Sequence, residues 1–358
     1  MSEPSSAAPP ADERMQRQSP LRRAFVRPEL GAMAGAVLVF VYFAIVAGGT
    51  GMFAPDGIMN WGVVSAQFAI IAVGACLLMI AGEFDLSVGS MIGFAGIVIA
   101  LLSVHLGWPI WAAIVAAFVV AMLIGAANGY LVIRTGLPSF IVTLASLYIL
   151  RGLTIYLSIS TTRQTIIGGV REAAQGDLLA AVFGGKVLGF VFTWLADAGL
   201  IATFQAGNRA GQPVVDGIPM LMVWALALIV FAHVLLTRTR FGNWIYAAGG
   251  DARAARYVGV PVDRVKIAMF VFSAFCATVF ATCQVMEFGS AAADRGLLKE
   301  FEAIIAVVIG GALLTGGYGS VIGAALGALI FGVVQQGLFF AGVESSLFPV
   351  FLGVILLL

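Results

Sequence analysis

Two carboxylates stand where a chain this apolar has little reason to place them. Residues 81–90 read Ala-Gly-Glu-Phe-Asp-Leu-Ser-Val-Gly-Ser, with Glu83 and Asp85 close to Ser87 and glycines at 89 and 93. A carboxylate at the centre of a bilayer costs about 2.5–3.5 kcal/mol on insertion scales. The pair therefore marks either a turn at the membrane surface or a helix break that faces a water-filled cavity and lines a gate or path. On the first reading Asp85 and Ser87 cap the start of the next helix, as short acceptor side chains do. The remaining polar groups within apolar runs are amides: Gln67, Asn128, Gln284, Gln335 and Gln336. Each either faces a pore, where it can bond a polar solute, or makes an interhelical bond worth about 0.6–2 kcal/mol. Glu287, Asp294 and Glu300 fall in an expected outer loop, solvated or facing a partner.

Other chemistry is missing from the sequence. No Gly-x-x-x-x-Gly-Lys-Ser/Thr phosphate loop occurs; Gly184-Gly185-Lys186 runs on into Val187 without the upstream frame. The two histidines, His105 and His233, lie far apart, and neither a zinc-protease motif nor a nucleophile elbow is present. Cys76, Cys276 and Cys283 all sit inside apolar runs without metal-ligand spacing and read as packing residues. If such a chain moves a solute uphill, the energy comes from a partner or an ion gradient.

The elements that position these residues follow from composition. Of 358 residues 61% are hydrophobic and 10% charged, against roughly half and a quarter in soluble domains, and mean hydropathy is +1.04. Stretches 30–54, 61–82, 86–104, 106–133 and 265–286 are nearly or wholly free of charge. Each approaches the ~20 residues that cross a ~30 Å hydrocarbon layer as a helix. The reading is an all-α polytopic membrane protein of about ten transmembrane helices, near 30–50, 60–81, 87–105, 109–133, 138–157, 217–237, 265–286, 301–315, 319–341 and 346 onward. Trp61, Trp108 and Trp111 stand near span ends, as interfacial anchors do.

Orientation comes from charge. Residues 1–29 form a polar tail with Arg14, Arg17, Arg22, Arg23 and Arg27, without a signal-peptide core, so the N-terminus is expected in the cytoplasm. Alternation then places residues 237–266 inside as well, and that segment is the most basic loop: Arg238, Arg240, Arg253, Arg256, Arg264 and Lys266 against Asp251 and Asp263. Residues 158–217 become a long outer, periplasmic insertion between the fifth and sixth spans. Its stretch 178–204, interrupted by Lys186, Asp197, Gly184, Gly185 and Gly189, reads as short interfacial elements rather than another span. The net charge of +1 argues against a nucleic-acid partner. The run 348–358 is purely apolar and is expected to stop within a last helix, short of the native C-terminus. An internal echo, Ala-Ile-Ile-Ala-Val at 69–73 and again at 303–307, precedes Gly89-Ser90 and Gly319-Ser320; it reads as a repeated half or as chance in so apolar a chain.

Residues 81–90 resemble the Gly-Gly-x-Asp-Leu-Ser-x-Gly signature of permease subunits in ribose- and xylose-type ATP-binding-cassette sugar importers. Three further segments agree in order: 128–144 with Arg151-Gly152 beyond; 238–242 leading into Ala248-Gly-Gly-Asp-Ala-Arg-Ala-Ala-Arg-Tyr-Val-Gly-Val-Pro261; and 302–332 with Gly316-Gly-Tyr-Gly-Ser320. The resemblance covers most of residues 60–358, a permease domain spanning 30–358, and branched-chain amino-acid permeases are relatives by architecture. It implies a bacterial inner-membrane, non-catalytic subunit importing a sugar or polyol. Its implied partners are two cytoplasmic ATP-binding subunits, a periplasmic sugar-binding protein and a second permease copy as homodimer or pseudo-dimer. The resemblance implies no cofactor in this chain, ATP and Mg being held by the partners.

It also implies that 237–266 couples to the ATPase through Asp251, Arg253, Arg256, Tyr257, Gly259 and Val260; the residues themselves read as a short surface helix at 253–259, with Asp251 near its start. Read without the resemblance, these arginines orient the protein or touch anionic lipid. Gate or pathway candidates are Glu83, Asp85, Ser87, Asn128, Gln67, Gln284 and Gln335. Two departures stand out: Glu83 occupies a position usually small or apolar in that family, and the 158–217 insertion is longer than in ribose-type proteins. The competing class, a transporter driven by H⁺ or Na⁺, calls for an ionisable residue in mid-span.

Overall fold

A computed structural model describes residues 28–205 and 210–357. Most long helices follow a proline and several close on a left-handed glycine, the asymmetry expected of helix ends. In chain order α1 spans Pro28–Val46 and α2 spans Pro55–Ile80, with Pro55 in its first turn. α3 (Val88–Ala100) continues through a wider turn at Leu101–His105. α4 (Ile110–Thr135) follows Pro109 and ends at Gly136, φ 69°; α5 (Ser139–Thr162) follows Pro138.

Residues 163–219 hold short pieces: β1 (Ile166–Ile167), α6 (Val170–Ala173), α7 (Leu178–Gly184), β2 (Lys186–Val187), α8 (Gly189–Asp197) and β3 (Ile218–Pro219). α9 (Met220–Arg238) leads into α10 (Arg240–Gly250) and α11 (Ala252–Tyr257). α12 (Val262–Phe288) follows Pro261 and ends at Gly289, φ 65°. Then come β4 (Ala291–Ala292), α13 (Lys299–Ile309), α14 (Val321–Phe340), a short turn of helix at Ser345–Leu347 and α15 (Phe348–Leu357).

Among the described residues eight helices are long and apolar enough to cross a membrane: α1, α2, α3 with its extension, α4, α5, α9, α12 and α14. α2, α3, α12 and α14 are mostly buried, whereas α1, α4, α5 and α9 turn most of their surface outward. α2 packs against α14, α12 and α9, and α12 packs against α4 and α3. The outer helices present large apolar side chains such as Ile45, Leu123 and Leu226, which suits hydrocarbon.

Two of the ten expected spans differ. The run at 301–315 holds a shorter helix than expected: α13 has 11 residues, about 16 Å at 1.5 Å per residue, half of a ~30 Å core. It is cut at one end by a coil that enters the protein and at the other by Gly310 and Gly311, and then turns at Gly316-Gly317, where φ is 82° and 71°. The run at 346 onward contains the ten-residue α15. In 158–217 the longest described helix, α8, has nine residues. Two short antiparallel ribbons tie this segment down, β1 with β4 and β2 with β3. The arginine-rich residues 1–27 lie outside the described residues.

Candidate functional site

The break between α2 and α3 is a polar knot. α2 ends at Ile80 with Ala81 as its cap, and Gly82 turns the chain with φ 82°. Glu83, Asp85 and Ser87 are all buried. The Ser87 amide and hydroxyl donate to Asp85 Oδ1 at 2.9 and 2.5 Å, and the Ser273 hydroxyl on α12 donates to Oδ2 at 2.9 Å. Asn128 on α4 donates to Ser87 Oγ at 3.2 Å. The Ser87 side chain makes no capping bond to α3; Asp85 instead holds the Ser87 amide and fixes the turn. Glu83 Oε1 accepts from Lys266 Nζ at 2.5 Å, across the start of α12. The freed backbone is satisfied too: the amides of Phe84 and Leu86 donate to Ser139 Oγ and Thr143 Oγ1 on α5, each at 3.0 Å. An interrupted membrane helix needs such partners, because lipid offers none.

Beside the knot three backbones meet without side chains between them. A Cβ on Gly249, near the end of α10, would lie 1.8 Å from the Ile80 carbonyl oxygen and 2.7 Å from the Gly317 amide. One on Gly316 would lie 2.7 Å from Gly82 Cα. The Gly317 amide donates to the Ile80 carbonyl at 2.9 Å, and the Tyr246 hydroxyl donates to the Gly319 carbonyl at 2.8 Å. The ends of α2, α10 and the α13–α14 turn therefore touch main chain to main chain. Both copies of the echoed Ala-Ile-Ile-Ala-Val run lead into this junction.

From the junction the chain passes directly into α11, which is closed at both ends. Asp251 Oδ1 accepts the amides of Arg253 and Ala254 at 2.9 and 3.0 Å, an N-cap. Gly259 takes φ 85°, its amide donates to the Arg256 carbonyl, and the Val260 amide donates to the Ala255 carbonyl, the double closure of a Schellman end. Arg256 pairs with Asp263 at 2.5 Å, both half exposed. Tyr257 is 92% and Val258 79% exposed, an apolar tip on a basic loop. The two amides that Asp251 caps hold its carboxyl below the usual range. A folded value below the unfolded one stabilises above the unfolded pKa and fades as pH falls through the folded one. The cap is thus complete at neutral pH and opens only in strong acid.

The amides separate. Gln67 and Gln336 line a cavity of about 360 Å³ at the end of α2 opposite the knot, with Asn60, Asp216, Glu287 and Lys186. Asn128 belongs to the knot; Gln284 is buried with its Oε1 unpartnered, and Gln335 is half buried on α14. Glu300, expected in an outer loop, is instead 2% exposed at the start of α13. Glu83, Asp85, Ser87 and Asn128 come together as one hydrogen-bonded unit, while Gln67, Gln284 and Gln335 do not join it. Lys266, Ser273, Ser139, Thr143 and the three-way glycine contact are not among the site residues that the sequence singles out. An acid in an apolar run does call for a basic partner, and that is the available signal for Lys266.

Among the described residues, eight apolar spans around an interrupted, hydrogen-bonded core, with a capped helix beyond them, define a multi-pass membrane protein. The chain belongs to the family described as branched-chain amino acid transport system / permease component, which matches residues 57–358. It is 33% identical over 320 residues to the xylose transport system permease protein XylH of Escherichia coli K12, covering 82% of this chain and 81% of that one. It is 32% identical over 315 residues to XylH of Haemophilus influenzae, covering 80% and 83%. The autoinducer 2 import system permease protein LsrD of Salmonella typhimurium is 31% identical over 290 residues, covering 80% and 77%. All four sequence segments that carried the resemblance converge on the knot and its glycine junction.

Proposed function

We propose that this chain is the transmembrane permease of an ATP-binding-cassette importer carrying a monosaccharide or related polyol across the bacterial inner membrane. The observation that carries the reading is similarity to a xylose permease along four-fifths of both chains. On this reading residues 1–29 and 237–266 are cytoplasmic, 158–217 is periplasmic, and α13 and α15 complete a set of ten membrane helices. Two ATP-binding subunits hold ATP and Mg, a periplasmic sugar-binding protein docks outside, and a second copy of the permease completes a homodimer.

The geometry suggests how the parts act. Tyr257, Val258 and Arg253 seat α11 in an ATPase subunit, with Asp251, Arg256, Gly259 and Val260 keeping the helix rigid. Movement of the ATPase then shifts α10, and Gly249 carries the shift into the end of α2 and the α13–α14 turn. The knot of Glu83, Asp85, Ser87 and Asn128 keeps the α2–α3 break attached to α4, α5 and α12, so the break moves as a unit. Gln67 and Gln336 offer amides to solute at the outer end, while Gln284 and Gln335 are further pathway candidates.

The coupling segment is tested by co-purification and uptake together. Tyr257→Ser combined with Arg253→Ala is expected to lose the ATPase subunits and sugar uptake, as is Asp251→Ala. Asp251→Asn keeps an acceptor for the two amides and is expected to retain both. Intact assembly and uptake in the Tyr257→Ser, Arg253→Ala protein would rule this segment out as the coupling element.

A further inference from the structure

Arg151 stands halfway along α5, a 24-residue helix, so its guanidinium lies near the middle of the membrane. Its side chain is 30% exposed, and its nearest acid, Glu300 Oε1, is 3.8 Å away, beyond hydrogen-bond distance. Five N–H donors are thus left without an acceptor among the described residues. A guanidinium at this depth is costly against lipid and is normally turned toward a partner or a water-filled space. Arg151 and Glu300 form an ion pair without a hydrogen bond, and two further polar atoms beside it lack hydrogen-bond partners. The Ser90 hydroxyl has no partner although Ser90 is 5% exposed, and Glu300 Oε2 has none, Glu300 being 2% exposed and packed against Gly89.

Ser90 and Arg151 face a cavity of about 290 Å³ between α3, α5 and the segment that descends from β4 to α13. Ser90 and Arg151 line it together with Thr165, Asp294, Arg295 and Leu297. Thr165 and Asp294 are exposed, next to the β1–β4 ribbon at the outer end, so the cavity reaches from that surface to mid-depth. Two guanidiniums, the Asp294 carboxylate and two hydroxyls line it, and the Ser90 hydroxyl and the Arg151 N–H groups remain without hydrogen-bond partners. Such a lining offers N–H and O–H donors to a solute with several hydroxyl oxygens, and the importer reading makes that solute a neutral one. Arg295 is already anchored, donating to the Ser290 carbonyl at 2.6 Å and lying over the Phe288 ring.

We propose that this cavity is a solute station in which Arg151 and Ser90, with Asp294 and Thr165 at the rim, hold a neutral polyhydroxy solute on its way inward. The inference rests on the importer reading above and names the site that it leaves open. The test uses the permease reconstituted with its ATPase subunits, with xylose as the probe solute and leucine as the comparison. Ser90→Cys is expected to react with a charged, water-soluble thiol reagent above the background of the buried native cysteines, and xylose but not leucine is expected to slow the reaction. Arg151→Gln is expected to raise the KM for xylose uptake about tenfold, the loss of a charged hydrogen bond, with ATP hydrolysis retained.

A Ser90→Cys protein whose new thiol ignores the reagent, or reacts without protection by xylose, overturns the station even if Arg151→Gln fails to fold. Protection by leucine instead overturns the polyol assignment. If the wild-type complex imports xylose while the thiol introduced by Ser90→Cys is unprotected, only the station fails. If the wild-type complex takes up no xylose, the sugar-importer reading fails with it.

Discussion

Lys266→Met is expected to destabilise the protein by about 3–5 kcal/mol, the usual consequence of stripping one partner from a buried ion pair. The two side chains are 16% and 11% exposed, so solvent screens the pair little. Removing the ammonium leaves Glu83 charged at the end of α2 with no other donor among the described residues. The double variant Glu83→Gln, Lys266→Met removes both charges and is expected to recover most of the loss. Thermal unfolding of the purified protein in detergent reads this directly. A Lys266→Met protein that melts with the wild type would mean that the pair does not tie α2 to α12.

Gly249→Ala is expected to reduce uptake more than tenfold while the ATPase subunits stay bound and continue to hydrolyse ATP. The added Cβ would fall 1.8 Å from a backbone oxygen and 2.7 Å from a backbone nitrogen, neither of which can rotate away. The junction has to open, and α10 then loses its direct contact with the end of α2. Gly250→Ala supplies the control, since a Cβ there meets nothing within 4 Å. Uptake assayed side by side separates the two: loss at 249 with little change at 250 supports main-chain transmission. Equal uptake in both would place the coupling route elsewhere.

Much of this architecture is legible in the sequence because the bilayer is a demanding solvent. Long uncharged runs have few alternatives to spanning helices, and eight runs are such helices here. The cap at Asp251 and the turn at Gly259 are local, so a short helix between them is readable from spacing alone. The half-helix α13 is not. Its run 301–315 is as apolar as a span, and only the buried approach from β4 and the glycine turn at 316–317 shorten it. Glu300 reads as a loop residue for the same reason, because an acid before an apolar run looks like a membrane boundary. The knot is half legible. Glu83, Asp85, Ser87 and Asn128 attract notice as polar groups in apolar surroundings. Their bonds to Ser273 and Lys266 span 188 and 183 residues of sequence, and no local pattern encodes such pairing.

The central claim is that ATP hydrolysed by partner subunits drives a sugar through this chain. The most direct measurement is xylose uptake into proteoliposomes containing the permease with its co-purified ATPase subunits, with ATP supplied on the ATPase side and ionophores collapsing proton and sodium gradients. Uptake that persists without gradients and stops without ATP is the predicted result. Uptake by the permease alone, driven by an imposed gradient and indifferent to ATP, would contradict it.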